Sequence, residues 1–246
     1  MNLKKHFETS GEWLFKRRGS FPFVALPFVL IAFKDAGSLE HCCGTTVQMI
    51  WSIFSIAVSF FGLFLRCVTL GWVREGTSGR NTKGQVAERL NSTGMYSVVR
   101  HPLYLANFFI AFGYVLYMEV WWFVVIFALL FCIFYERVMY REESFLEEKF
   151  GDEFRKWAEH TSAFFPNLKH WRKPKSSFSW KMVLKREYST FFGLIVGFIA
   201  TDFLVHLVSE QKAIFRRSWI VFFSIGFVTY WTLRILRKNH FLDIKD

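Results

Sequence analysis

Two small groups of residues offer chemistry in this sequence. The first lies in GMYSVVRHPLYLANFF, Gly94 to Phe109, where Tyr96, Arg100, His101 and Tyr104 lead straight into apolar sequence. Proline suits the first helical position, since its missing N–H is no loss there. The residue before proline is pushed out of the α region. The run therefore predicts a helix starting at Pro102, with His101 at the boundary, Tyr96 and Arg100 on the preceding arm and Tyr104 in the first turn. A helix start presents free N–H groups and a positive dipole end, which suits a carboxylate or phosphate. Interfacial anchoring fits the same residues, with Tyr at headgroup level and Arg on lipid phosphate. The second group is Glu142 and Glu143. Carboxylates can hold hydroxyls or an ammonium group, but they also favour the first turn of a helix for its dipole alone.

The stretch GTSGRNTKGQVAERLNSTG, 76–94, is Gly-rich and polar, with Asn81, Lys83 and Glu88. It contains neither G-x-G-x-x-G nor G-x-x-x-x-G-K-[ST], so no soluble nucleotide-binding fold is indicated. Its length is unusual for a plain connection. Arg66, inside an apolar run, reads as snorkelling or as paired within a bundle. The cysteines, Cys42, Cys43, Cys67 and Cys132, make no C-x-x-C pair or ligand spacing, so neither a zinc site nor a disulfide framework is expected. No G-x-S-x-G or H-E-x-x-H occurs, and His160, His170, His206 and His240 read as ordinary.

These groups must be held by elements that the apolar runs define. Of 246 residues, 52 % are apolar, including 32 Phe and 10 Trp. Several runs approach the roughly 20 residues that span a bilayer, which indicates a polytopic, all-α membrane protein of about six transmembrane helices. No signal peptide is visible, and the first run is kept as a span. Spans are expected near 20–34 (short or kinked by Pro22 and Pro27), 46–73, 188–208 and 214–236. The run 103–135 reads as a tight helical hairpin turning near Tyr117–Val120. The segment 141–166 places Leu146, Phe150, Phe154 and Trp157 on one face, which predicts one interfacial amphipathic helix, mildly interrupted at Gly151 and closed by Pro166.

The net charge of +11 is assigned to cytoplasmic loops and anionic lipid, not to nucleic acid. Lys and Arg number 5 in 1–20, 5 in 74–100, 12 in 137–187 and 4 from Arg234 onward, against 1 in 34–45 and 3 in 210–217. This asymmetry places both termini and the Arg100–His101 cluster on the cytoplasmic side. The organisation expected is an N-terminal membrane part (1–73), a core (74–170), and a basic linker with a C-terminal membrane hairpin (171–246).

The order Gly94-x-Tyr96, Arg100-His101-Pro102-x-Tyr104, apolar hairpin, Glu142–Glu143, Phe150–Gly151 and Pro166 resembles the isoprenylcysteine carboxyl methyltransferase and phospholipid methyltransferase superfamily of integral-membrane enzymes, over roughly 76–170. The resemblance implies an S-adenosylmethionine pocket enclosed by the helix start at Pro102, the loop before it and the end of the fourth span. Cofactor contacts carried over fall on Tyr96, His101, Pro102, Leu103 and Tyr104, with Asn81, Glu88, Leu90 and Asn91 from the loop. Glu142 is implied on the substrate side, with Arg137 the nearest Arg and Arg141 second. In phospholipid methyltransferases the paired Glu serves the cofactor, which brings in Glu143 and leaves the role of Glu142 open. Ala106 stands where many relatives have Gly.

The physics of the cofactor suits these residues. An aromatic face such as Tyr104 or Tyr96 stabilises a sulfonium cation by about 0.5–2 kcal/mol. Arg100 or helix-start N–H groups can take the methionine carboxylate. Methyl transfer to an anionic acceptor needs alignment more than a base. The resemblance is nearest to bacterial members, among them a lipid A phosphate methyltransferase, so the expected acceptor is an anionic lipid or lipid-linked headgroup at a bacterial inner membrane, methylated at the cytoplasmic face. Two alternatives stand beside it: an NADPH-dependent sterol-reductase-like oxidoreductase, drawing on Arg80, Lys83 and Arg89, and a non-catalytic membrane scaffold. Oligomeric state is not legible.

Overall fold

The computed structural model describes residues 3–73, 87–209, 211 and 215–243, and they are all-α, with no strand among them. Ten α-helices follow in order: α1 Leu3–Lys16, α2 Phe21–Ala32, α3 Ser38–Cys43, α4 Thr45–Gly71, α5 Met95–Val98, α6 Pro102–Tyr117, α7 Trp121–Phe150, α8 Asp152–His160, α9 Trp180–Ser209 and α10 Arg217–Lys238. Four of them, α4, α7, α9 and α10, are long and apolar enough to cross a membrane, while α2 and α6 are shorter apolar helices. At about 1.5 Å per residue, the 16 residues of α6 reach about 24 Å against an apolar bilayer core of about 30 Å. The chain is an integral membrane protein. Its exposed side chains on α4 and α10, including Ile50, Ile53, Phe64, Ile220, Val221 and Val228, form the apolar surface that lipid tails require.

Two compact units divide the described residues. The first draws on Met1–Ala25, Trp72–Leu105 and Ala128–Phe178, the second on Leu26–Gly71, Ala106–Phe127 and Ser179–Asp246. In the first, an aromatic nest supports the start of α6. Phe21 packs edge-on at 5.4 Å from Phe131 and 5.2 Å from Phe134. Tyr135 stacks on Phe131 at 4.2 Å and meets Tyr104 at 5.0 Å. In the second unit, Leu63, Tyr117, Leu194 and Phe198 form the core. There α4 and α6 approach closely through small residues. A Cβ on Gly62 would lie 2.6 Å from the carbonyl oxygen of the fully buried Ala106.

The hairpin between α6 and α7 turns at Met118–Val120 as the apolar pattern predicts. Glu119 takes φ 65° there, a left-handed conformation that costs a non-glycine residue about 1–2 kcal/mol. Its carboxylate accepts the Leu39 N–H at 2.9 Å, which helps to hold the turn.

One expectation is corrected. The segment 141–166 is not a single amphipathic helix. Residues 141–150 continue α7 without a break, so Glu142 and Glu143 lie within the helix of the span, not past its end. Between Tyr135 and Phe150 the sequence holds no proline or glycine, so nothing stops the helix. The stop comes at Gly151, where φ is 52° and ψ −122°, a backbone conformation open to glycine and rarely adopted by residues with a Cβ. The amphipathic part is the short α8, and residues 161–178 beyond it hold only a 3₁₀ turn at Leu168–His170.

Candidate active site

The arm before α6 is fastened almost entirely through its backbone. Gly94 opens α5 at φ 62°, and a Cβ there would meet Pro174 Cγ at 3.3 Å, so the position requires glycine. Its N–H donates to the Arg172 carbonyl at 2.9 Å. The Arg172 N–H returns to Ser97 Oγ at 2.8 Å. Trp157 Nε1 of α8 donates to the Tyr96 carbonyl at 2.9 Å. The Asn167 N–H donates to the Val98 carbonyl at 3.0 Å, the Arg100 N–H to the Ser162 carbonyl at 2.8 Å and the His101 N–H to the Ala163 carbonyl at 3.3 Å. Each such bond contributes about 0.5–1.5 kcal/mol net. Together they set the arm's direction, and Val98 and Val99 are fully buried beneath it.

That framework brings four of the expected side chains together. His101 Nε2 lies 2.8 Å from Glu143 Oε1. A carboxylate only accepts, so the ring proton sits on Nε2. Tyr104 donates its hydroxyl to Glu142 Oε2 at 2.9 Å. The His101 and Tyr104 rings stack at 5.6 Å. His101 Nδ1 stands 3.7 Å from Glu142 Oε2, too long for a hydrogen bond.

Adjacent glutamates therefore serve adjacent partners. Helix α7 presents Glu142 and Glu143 about 100° apart, and the first turn of α6 meets each with a separate donor.

Arg100 joins the cluster incompletely. Its Nε is 3.2 Å from Glu143 Oε1, within ion-pair range. The alignment is too poor for a hydrogen bond, so this buried N–H has no acceptor among the described residues. A buried donor without an acceptor costs about 1–3 kcal/mol. The cluster is also open to a ligand: the Glu142 side chain is 33 % exposed, Glu143 23 % and Arg100 19 %. Its groups fit S-adenosylmethionine in kind, with carboxylates for an ammonium or diol, a guanidinium for a carboxylate and aromatic rings for a sulfonium.

Other expected residues stand elsewhere. Arg137 donates to Ser10 Oγ at 3.1 Å and lies 4.9 Å from the Phe7 ring, so its guanidinium is engaged by α1 and not by the cluster. Glu88, Leu90 and Asn91 lie on the non-helical stretch before α5, with Glu88 exposed and the other two half-buried. Asn81 falls outside the described residues. Pro102 and Leu103 form the first turn of α6, Pro102 fully buried. The residues missed by sequence reasoning are Ser162, Ala163 and Asn167, whose backbone groups hold the arm. The signal at hand was Pro166, which disfavours helix at the residue before it and leaves its neighbours' backbone groups free to pair.

The comparisons with known proteins fall on the same region. Residues 50–153 match the family model described as phospholipid methyltransferase. A nickel-cobalt-cadmium resistance protein, NccN, of Alcaligenes xylosoxydans xylosoxydans is 34 % identical over 117 residues, 48 % of this chain and 52 % of that protein. A cobalt-zinc-cadmium resistance protein, CzcN, of Cupriavidus metallidurans is 32 % identical over 117 residues, 48 % of this chain and 51 % of that one. The chain thus spans about half the length of the curated relatives it matches. No solved structure matches it significantly. The matched stretch, residues 50–153, holds Arg100, His101, Tyr104, Glu142 and Glu143, and over it the chain is similar to phospholipid methyltransferases.

Proposed function

We propose that this protein is an S-adenosylmethionine-dependent membrane methyltransferase that acts on the anionic headgroup, phosphate or carboxylate, of a lipid or lipid-linked acceptor. Lipid A phosphate is one acceptor of this class. The observation that carries the reading is the open cluster of His101, Tyr104, Glu142 and Glu143 beside an Arg100 Nε that lacks an acceptor, within a segment of a methyltransferase family.

Bound there, S-adenosylmethionine would supply an electrophilic methyl group on its sulfonium for transfer to the acceptor oxygen. The chain's part is to bind and align. Arg100, whose side chain is partly exposed, offers its guanidinium to a carboxylate, a charge-assisted contact. Glu143, oriented by His101, faces the cofactor's ammonium or diol. Tyr104, held by Glu142 and stacked on His101, lends a ring face to the cation. Tyr96, Pro102 and Leu103 complete the wall, with Asn81, Glu88, Leu90 and Asn91 approaching from the loop. Glu142, the more exposed carboxylate, borders the acceptor. Arg137 is a distal member, reaching the acceptor only if it leaves Ser10. An anionic acceptor needs no base, so holding it in line is the main contribution. On this reading the active site and both termini face the cytoplasm, on the side where Lys and Arg are concentrated.

No cluster of three or more His, Cys, Asp or Glu side chains suited to a metal ion occurs among the described residues. The test uses protein in native-lipid nanodiscs with cofactor labelled on its methyl group, next to Glu142→Ala. Label entering a lipid in the wild type and lost in the variant supports the proposal, and mass spectrometry then names the acceptor. No label, together with no S-adenosylhomocysteine binding by calorimetry, refutes it.

A further inference from the structure

The strap that fastens the arm has a second face. Along 162–175 (SAFFPNLKHWRKPK), the inner side is the set of backbone bonds to Gly94, Ser97, Val98, Arg100 and His101. The outer side exposes Phe165 at 81 %, Leu168 at 76 % and Trp171 at 43 %. Between these apolar groups stand the exposed Lys169, His170, Arg172, Lys173 and Lys175. No Asp or Glu occurs between Glu159 and Glu187, and none of these Lys and Arg side chains makes an ion pair among the described residues. A water-facing strap has no use for three large apolar side chains. A strap within a bilayer's apolar core could not carry four cations. Apolar groups alternating with uncompensated cations match one environment, an anionic headgroup layer, where the former insert and the latter meet phosphate.

We propose that residues 162–175 form a binding surface for anionic phospholipid headgroups, and that lipid bound there braces the arm carrying Arg100 and His101. The second half rests on the methyltransferase reading only for its importance to catalysis. The physical link is the backbone. The Ser162 and Ala163 carbonyls that accept from Arg100 and His101 belong to the same short strap as the cations. Immobilising its outer face reduces the freedom with which those bonds open.

The test is made without cofactor, so its outcome is independent of methyl transfer. Protein is reconstituted in nanodiscs of equal phosphatidylglycerol and phosphatidylcholine, moved to mild detergent, and its retained lipids are counted by native mass spectrometry. Wild type is expected to retain phosphatidylglycerol over phosphatidylcholine by about tenfold or more. K169Q/R172Q/K173Q/K175Q is expected to lose the preference, whereas K169R/K173R/K175R keeps it. Where the quadruple variant does not fold, K169E/K173E, which alters only exposed side chains, takes its place. R234Q/R237Q/K238Q, which removes three cations at a place distant in sequence, is expected to keep the preference. Hydrogen exchange of amides 94–101 is expected to slow in phosphatidylglycerol discs relative to phosphatidylcholine discs. Equal retention of the two lipids, or a loss as large in the tail variant, overturns the site. Exchange that ignores lipid charge overturns the bracing.

Discussion

Each unit of this protein brings charged side chains together, and the two do so in opposite ways. In the second unit, Arg66 donates Nε and Nη2 to the two oxygens of Glu187 at 2.7 and 2.8 Å and Nη1 to Asn107 Oδ1 at 2.6 Å. The side chains of the pair are only 11 % and 3 % exposed. In the same unit Asp202 accepts from Tyr117 at 2.7 Å and Trp219 at 2.9 Å, and Arg216 donates to His206 Nε2 at 2.9 Å. Both carboxylate oxygens of Asp202 are in use. His206, which reads as an ordinary residue in sequence, is buried in this network. The first unit keeps a donor of Arg100 unmet and both glutamates partly open. Polar groups satisfied in every direction hold helices together, since an unmade bond is costly in an apolar setting. Polar groups left incomplete at an opening are available to a ligand.

The sharpest way to break that contrast is Glu187→Ala, which strands Arg66. Breaking a buried pair from one side costs about 3–5 kcal/mol, so a large loss of thermal stability is expected. Arg66→Met with Glu187→Met should recover most of it, because no charge is then left unpaired. If the single variant melts like wild type, the satisfied network is not what holds α4 and α9. Glu142→Ala should behave inversely, with methyl transfer down by about a hundredfold, as for loss of a positioning or charge-stabilising group, and the melting temperature little changed. A comparable loss of stability would move the cluster into the structural class.

Smaller effects refine the picture. Tyr117→Phe removes one neutral donor to Asp202, and bonds of this kind within membranes average about 0.6 kcal/mol, so a modest shift in melting is expected with methyl transfer unchanged. The smallest effect concerns Asp243. Its hydrogen bond to Lys185, with a second from His240, lowers its pKa below the usual 3.8. A lowered carboxyl pKa contributes stability that is present above the unfolded-state value and is lost as pH falls through the folded one. Asp243→Asn should therefore lower the melting temperature slightly at neutral pH, and the difference from wild type should vanish in acid. A difference that persists in acid would trace it to packing.

Much of this was legible in the chain itself. Apolar runs located both ends of α4, α6 and α10, the start of α7 and the end of α9 to within a few residues, because bilayer thickness and helical rise set the length of a span. Pro102 marked the start of α6 through its fixed φ and absent N–H. The hairpin turn was legible from Glu119, the sole charge within 103–135. Arg66 was expected to snorkel or to pair within the bundle, since a lone guanidinium in an apolar helix is costly, and the structure shows the pairing. The continuation of α7 through Glu142 and Glu143 was not legible, because the apolar pattern ended while the helix did not: hydropathy reports the bilayer, and only Gly151 reports the helix end.

Sequence alone determined which residues stand at the mouth of α6, because local rules of proline, helix start and hydropathy act within one segment. Tertiary structure decided their partners: Glu143 for His101, Glu142 for Tyr104, Ser10 for Arg137 and the 162–172 backbone for the arm. Neighbouring glutamates on one helix are equivalent to any local rule. What distinguishes them is the rotation and depth at which another helix meets them, and that follows from the packing of aromatic side chains drawn from three distant stretches of the chain.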